Sequence, residues 1–345
     1  MSLSAEIFEQ PAVLQHLLDT QSAHAAEIAR AINARGVEYV FLAARGTSDH
    51  AGIYAQYLWG ARNRLPVALA APSLFTLYHG SPRLGKALVV GISQSGRSPD
   101  IVQVLAEGRR QGALTLAVTN APDSELAQAA EFTLDVSAGE ERAVAATKTY
   151  TAELLALAML SAALEDSPAA LDALRGVPAA VETALGLDGA AEQAAARHAA
   201  LQRCVVLGRG YHYGTALEWA LKMKELAYVL ADAYSAADFQ HGPVAIVERG
   251  FPVLALAPRG AVLEDMLSLL SRLRAEQGAE ILALSDDPAV AALADIPLHL
   301  PIDLPEWLFP LAGIVPAQLY CYHLTRAKGY DTEQPRGLHK ITRTR

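Results

Sequence analysis

Ser93-Gln94-Ser95-Gly96-Arg97-Ser98 gathers three hydroxyls, one amide and one glycine into a single short stretch. It lies where the apolar run Ala87 to Ile92 gives way to helical spacing, with apolar residues at 101, 102, 104 and 105. A short run rich in branched residues reads as a buried parallel strand. Ser98 fits a helix N-cap and Pro99 the first helical position. Free backbone N–H groups and the positive end of a helix dipole make such a junction an anion site. The hydroxyls add donors without adding charge, so the expected chemistry is capture of a phosphate group. A Ser/Gly loop that only caps its helix has the same composition, and the rest of the chain must decide between the two.

Other residues could do acid–base or amine chemistry. Glu218, Lys222 and Glu225 are spaced i, i+4, i+7 and share one helix face. Such a triplet commonly forms a solvated ladder of ion pairs, but Leu217, Leu221 and Leu226 make this helix mostly core. His241 precedes Gly242-Pro243 and also fits an ordinary loop histidine. Lys340 lies near the C-terminal end, where lysines are usually solvated. The preceding Gln334-Pro335-Arg336-Gly337-Leu338 is less polar than disorder favours, so an ordered tail is expected. Thr47 and Ser48 follow the turn Arg45-Gly46, where they could bind a ligand or cap a helix.

Strands alternate with helices around these residues. Strands are expected at 38–43, 66–71, 87–92, 113–118 and 132–136. Helices are expected at 51–59, 73–79, 101–110 and 125–130, followed by a long helix ending near 164. The pattern resumes with strands at 203–207, 252–257, 279–284 and 298–301 and helices at 212–230, 262–277 and 306–327. This alternation predicts an α/β fold with parallel sheets covered on both faces, three-layer αβα and flavodoxin-like. The expected organisation is N-terminal helices (1–33), a first α/β domain with the cradle (34–165) and an Ala-rich helical linker (166–200). A second α/β domain (201–328) and a tail (329–345) complete it.

The two domains form an internal repeat. Gln111-Gly112-Ala113 matches Gln277-Gly278-Ala279, an offset of 166 (278 − 112), and Ala44-Arg45-Gly46 matches Gly208-Arg209-Gly210, an offset of 164 (208 − 44). Ser93-Gln94-Ser95-Gly96 then corresponds to Ala257-Pro258-Arg259-Gly260, which has lost the hydroxyls. One phosphate site per chain is expected, in the first half.

The length of 345 residues suits two domains, and 52% apolar with 19% charged residues suits a compact globular chain. No apolar run approaches the roughly 18 residues of a membrane span. The first residues lack the basic and apolar regions of a secretion signal. A net charge of −9 argues against a general nucleic-acid surface. Cys204 and Cys321 show neither a disulfide framework nor metal spacing. A reducing cytoplasm is the expected location.

Six motifs in order resemble the isomerase half of glutamine–fructose-6-phosphate amidotransferase, which is a pair of sugar isomerase (SIS) domains. They are Arg45-Gly46-Thr47-Ser48, the cradle, Ala145-Ala146-Thr147-Lys148, the segment Ala216 to Glu225, His241-Gly242-Pro243, and Gln334 to Lys340. The match runs from about residue 35 to the end. The glutaminase half has no counterpart, since Ser2 follows Met1 where its cysteine nucleophile would stand.

The resemblance implies roles. Ser93, Gln94, Ser95 and Ser98 would bind a sugar phosphate, with Thr47 and Ser48 adding hydrogen bonds and Val144 lining the sugar. Lys340 would form a Schiff base with an open-chain ketose, Glu225 would shuttle a proton between C1 and C2, and Lys222 and Glu218 would lie near them. His241 would open the ring, reaching in from the partner of a homodimer with shared sites. No metal or cofactor is implied. These types suit the chemistry: a buried Glu for a base near neutrality, His for ring opening near pH 7, and Lys for an imine.

There are departures. Arg45 stands where the synthase usually has Cys and Arg97 where it usually has an acidic residue, and Asp238-Phe239-Gln240 replaces Glu-Leu-Lys. Arginines beside a cradle suit an anionic ligand, and the loop looks more like stand-alone double-SIS amino-sugar deaminases. The expectation is a phosphosugar isomerase/deaminase that converts glucosamine 6-phosphate to fructose 6-phosphate and ammonia. A fructosamine-6-phosphate deglycase, an ammonia-dependent synthase and a non-catalytic sugar-phosphate sensor remain open.

Overall fold

The computed structural model describes residues 2–340. In chain order the first elements are α1 (Leu3–Phe8), α2 (Gln10–Ala34), β1 (Tyr39–Ala43), α3 (Thr47–Asn63), β2 (Val67–Leu69) and α4 (Ser73–Thr76). Then come β3 (Ala87–Ile92), α5 (Pro99–Arg110), β4 (Leu114–Thr119), α6 (Glu125–Ala129), β5 (Phe132–Asp135) and α7 (Lys148–Glu165). Three helices follow: α8 (Pro168–Arg175), α9 (Val177–Leu185) and α10 (Asp188–Arg197). The second series is β6 (Arg203–Gly208), α11 (Tyr213–Leu226), β7 (Leu230–Ser235), α12 (Ala236–Phe239), β8 (Pro252–Leu256) and α13 (Leu263–Arg272). It closes with β9 (Glu280–Ser285), α14 (Pro288–Leu293), β10 (Ile296–His299) and α15 (Phe309–Ala327).

β3 and β4 are buried at every residue, as strands covered on both faces must be. They sit in a sheet of order β2-β1-β3-β4-β5, and every neighbouring pair is parallel. The second sheet, β10-β9-β8-β6-β7, has the same order read from its other edge, and its pairs are also parallel. This is the doubly wound order in which ligands bind outside the carboxyl ends of the strands, where the winding reverses. In the first sheet that point lies between β1 and β3, whose following turns are Arg45–Gly46 and the cradle.

The repeat is visible element by element. Tyr39 and Arg203, Ala87 and Pro252, and Leu114 and Glu280 open corresponding strands, at spacings of 164 to 166 residues. An ion pair repeats with them. Arg45 Nε meets Asp100 Oδ2 at 2.8 Å, and Arg209 Nη1 meets Asp265 Oδ2 at 2.8 Å. Each clasps the turn after the first strand to the start of the helix after the third. Arg45 is thus neutralised by a fully buried carboxylate. Its Nε makes this structural bond while the side chain remains 47% exposed.

Compactness divides the chain into two units whose boundaries interleave. The first comprises residues 12–141, 148–175 and, of those described, 339–340. The second comprises residues 2–11, 142–147 and 176–338. The segment 166–200 is accordingly shared out, α8 packing on α7 in the first unit and α9 and α10 on α15 in the second. In the first unit α7 is buried nearly all round, as a central helix must be. It packs on α3, with Trp59 Nε1 donating to Leu157 O at 3.2 Å. In the second unit Cys204 and Cys321 are free and buried, and burial pushes the Cys204 thiol up to about 12.

One expected element is corrected. The helix read over 212–230 ends at Leu226, and residues 230–235 form the edge strand β7. Tyr228 takes a left-handed φ of 54° and turns the chain. Leu230 is 76% exposed, so the strand lacks the apolar signature of its neighbours. The short helix expected over 73–79 also stops early, at Thr76.

Candidate functional site

The cradle forms as a tight turn on the C-terminal edge of β3. Gly96 N donates to Ser93 O at 3.1 Å, and Leu126 N donates to Gly96 O at 3.1 Å. Gly96 has φ +62°, and a Cβ there would run into Ser124, so the turn needs glycine on both counts. Ser98 is the N-cap of α5 by position, yet its side chain makes no capping bond. Its hydroxyl lies 3.4 Å from that of Ser93, which is 6% exposed. Helix capping therefore does not explain these hydroxyls. They converge beside the N-terminus of a 12-residue helix, an arrangement able to receive an anion.

The neighbouring loop is tied to the cradle through Asn120, whose backbone meets the cradle and whose side chain meets the loop. Asn120 N donates to Gln94 O at 3.2 Å. Asn120 Nδ2 donates to Gly139 O at 2.7 Å, and Ala138 N donates to Asn120 Oδ1 at 2.8 Å. Glu141 follows two residues on and is 5% exposed. It accepts from Thr149 N at 3.1 Å, from Thr149 Oγ1 at 2.8 Å and from Lys340 Nζ at 2.6 Å. The tail lysine is thus held in the unit that carries the cradle.

Thr47 opens α3 behind Gly46. Ser48 is buried and donates its hydroxyl to Glu153 Oε1 at 2.8 Å. That proton is engaged, so Ser48 can serve a ligand only as an acceptor. A cavity of about 790 Å³ in this unit lies between α2 and the α7–α8 helices, lined in part by Leu18, Arg30, Met159 and Leu174. None of the residues above lines it.

In the second unit α11 brings Glu218, Lys222 and Glu225 together. Lys222 Nζ lies 3.3 Å from Glu218 Oε1 and 2.5 Å from Glu225 Oε2. Glu218 and Lys222 are 0% and 2% exposed and Glu225 22%, by side chain. The triplet is therefore no solvated ladder. Burial works against a charge on Lys222, but the two carboxylates outweigh it and hold the ammonium above the ordinary lysine range. Val144 is half-buried in a loop of this unit, where Glu6 accepts from Arg142 N at 2.6 Å and Ala143 N at 3.2 Å. His241 is exposed on the loop after α12, ahead of Gly242.

The second copy of the cradle is filled by its own chain. Ala261 N donates to Glu306 Oε2 at 2.8 Å, and a Cβ on Gly260 (φ +136°) would strike that carboxylate. Arg259 N and Nε donate to Asp286 at 2.7 and 3.0 Å. Burial raises the Glu306 pKa, but the His212 ring, 3.7 Å away, and the bond from Ala261 N prevail and leave it below the ordinary 4.5. Its contribution to stability is complete above about pH 4.5 and lost as pH falls through the lower folded value. Glu306→Gln is expected to flatten the acid side of the unfolding-temperature profile, measured by calorimetry between pH 3 and 6; an unchanged profile refutes the assignment.

Glu141, Glu153, Asp100 and Glu306 had no expected role. A buried carboxylate paired across 199 residues, as Glu141 is with Lys340, leaves no local pattern. Its one local signal is the Glu140-Glu141 pair just ahead of Ala145-Ala146-Thr147-Lys148.

The SIS domain matches residues 36–163 and again 199–326, and the chain belongs to the SIS-domain family, carrying the domain twice. Glutamine–fructose-6-phosphate aminotransferase (isomerizing) of Thermus thermophilus is 35% identical over 348 residues, covering 97% of this chain and 57% of that protein. The counterpart in Pyrococcus horikoshii is 33% identical over 340 residues, covering 97% and 56%. The chain thus spans little more than half the length of these relatives. Among solved structures, the C-terminal domain of glucosamine-fructose-6-phosphate aminotransferase from Francisella tularensis superposes with a TM-score of 0.87 at 27% identity, covering 96% of this chain and 98% of that one. Glucosamine-6-phosphate deaminase from Thermotoga maritima shares the fold, with a TM-score of 0.79 at 20% identity over 100% of both chains. Among the described residues no helix is long and apolar enough to cross a membrane.

Proposed function

We propose that the protein is a phosphosugar isomerase that deaminates an amino-sugar 6-phosphate, turning glucosamine 6-phosphate into fructose 6-phosphate and ammonia. The observation that carries this reading is the lysine–carboxylate pair Lys340–Glu141, tied through Asn120 to a turn whose hydroxyls are not used to cap the helix. A phosphate acceptor and an amine able to make an imine then belong to one unit. Ser93, Gln94, Ser95 and Ser98 hold the phosphate, while Thr47, Ser48 and Val144 contact the sugar. His241 opens the ring, from the partner subunit of a cytoplasmic homodimer. Glu225 removes the proton from C2 and returns it to C1, with Lys222 and Glu218 fixing its place. The 2-amino group is then an imine nitrogen at C2. Exchange with Lys340 releases it as ammonia, and water releases the ketose.

The test is ammonia release from a panel of 2-amino-sugar 6-phosphates and fructosamine 6-phosphates. Release from the former carries the proposal. Release of an amino acid from the latter gives the deglycase, ammonia consumed with fructose 6-phosphate gives the synthase direction, and tight binding without turnover gives the sensor.

The phosphate assignment has its own test. Ser93→Ala with Ser95→Ala removes two donors to a charged acceptor, each worth about 1.5–3 kcal/mol, so binding of the sugar phosphate weakens by at least about tenfold per residue. Circular dichroism should show an unchanged fold. Normal binding by titration calorimetry would place the phosphate elsewhere.

A further inference from the structure

Lys340 meets a buried acid, Glu141, and the surroundings of that acid suit more than an ion pair. Glu141 Oε1 is fixed by Thr149 N at the start of α7, and Oε2 receives both Lys340 Nζ and the Thr149 hydroxyl. A backbone N–H in the first turn of an 18-residue helix favours a negative charge at the acid. A hydroxyl donates to a carboxylate and can turn to accept from a carboxylic acid, so Thr149 can stay bonded to Glu141 in both states. The Glu141 side chain is 0% exposed and that of Lys340 24%. The acid is shut off from solvent, whereas the lysine has an open side.

We propose that Glu141 is the proton relay for Lys340. The proposal rests on the reading of Lys340 as the imine-forming amine. As an ammonium, Lys340 has no lone pair with which to attack. Its proton passes to Glu141 Oε2, giving a neutral amine and a carboxylic acid. The Nζ–C2 bond forms as the π bond of the C2 imine breaks toward the substrate nitrogen, and a proton moves from Nζ to that nitrogen. Glu141 then returns its proton to the same nitrogen. The C2–N bond breaks, ammonia leaves, and the Nζ lone pair closes the new protonated imine. The ammonium charge has become an iminium charge, still facing the Glu141 carboxylate. No oxidant, metal or external base enters. A carboxylate that only pinned the tail would need no such reversible partner as the Thr149 hydroxyl.

The experiment compares wild type, Glu141→Gln, Glu141→Asp and Glu141→Ala on glucosamine 6-phosphate, with formate added to each. Glu141→Gln keeps an acceptor oxygen for Thr149 N and an NH2 that can donate to the Thr149 hydroxyl, and it should lose about 10²–10⁴-fold in kcat, the usual worth of a proton-transfer group, at an unchanged KM. Glu141→Asp should recover part of that loss, and formate should speed Glu141→Ala while leaving wild type unchanged. Wild-type kcat in Glu141→Gln overturns the proposal, as does a loss carried by KM and untouched by formate. If Glu141→Ala does not fold, the kcat and KM of the Gln and Asp variants decide alone. Failure of the underlying reading is separate: wild type treated with borohydride during turnover would then carry no substrate on Lys340, whatever the Glu141 variants do.

Discussion

Lys340→Met gives a folded protein that binds the sugar phosphate and does not turn it over. Methionine keeps the length and apolar stem of lysine but cannot form an imine, so the covalent route is lost outright. The fold should survive because Glu141 keeps both bonds from Thr149. The tail is also anchored upstream. Glu333 accepts from Leu3 N at 3.1 Å, Arg336 N donates to Tyr228 Oη at 2.8 Å, and the Arg336 guanidinium lies 3.7 Å from the Tyr228 ring centroid. Three residues lie between Arg336 and Lys340, so the chain joining their Cα atoms spans at most about 14 Å. Truncation after Pro335 removes that anchor with the amine and should also give a phosphate-binding, inactive protein. Borohydride added during turnover should leave substrate on Lys340, read by mass spectrometry. An unmodified lysine alongside full activity of Lys340→Met would mean that the tail only packs and that the reaction runs through a free carbonyl.

Glu225→Gln should lower kcat by about 10²–10⁴-fold and leave KM for the phosphosugar nearly unchanged, because the phosphate is held by the cradle. Gln keeps a neutral acceptor for Lys222, whose second partner Glu218 remains. A group that only neutralised Lys222 would show its loss in thermal stability, so melting temperature and kcat are measured together. Since we assign His241 to the site of a neighbouring subunit, inactive His241→Ala chains mixed with inactive Glu225→Gln chains should regain part of the activity. No recovery after confirmed subunit exchange would return both residues to one chain's own site.

What could be read in advance follows the range of the physics. β3, the cradle and α5 are written in adjacent residues: a branched apolar run, then small polar residues, then Pro99 and helical spacing. The two sheets were legible because the pattern recurs about 165 residues later. β7 escaped because an edge strand with an exposed Leu230 does not look like its buried neighbours, and because a tyrosine, not a glycine, makes the turn before it. The partners of the site residues were illegible for a different reason. Ser48 and Glu153 are 105 residues apart and Glu141 and Lys340 are 199 apart. A side chain met at such a distance leaves no trace in local composition. The buried character of Glu218 and Lys222, by contrast, was foreshadowed by the leucines around them.

The interleaving of the second unit also bears on how the chain is made. α1 buries Leu3, Glu6 and Ile7, but its partners arrive late. Leu3 waits for Glu333, 330 residues on, and Gln10, at the start of the adjoining α2, waits for Gln318, 308 residues on. At about 5–20 residues per second of synthesis, that delay is roughly 15–60 s. A six-residue helix does not hold its shape alone for such a time. Strands β1 to β5, which lie within residues 39–135, can meanwhile pair as soon as they clear the ribosome. α1 is thus synthesised well before these partners and seated only after them, and until then its apolar face stays uncovered on the nascent chain.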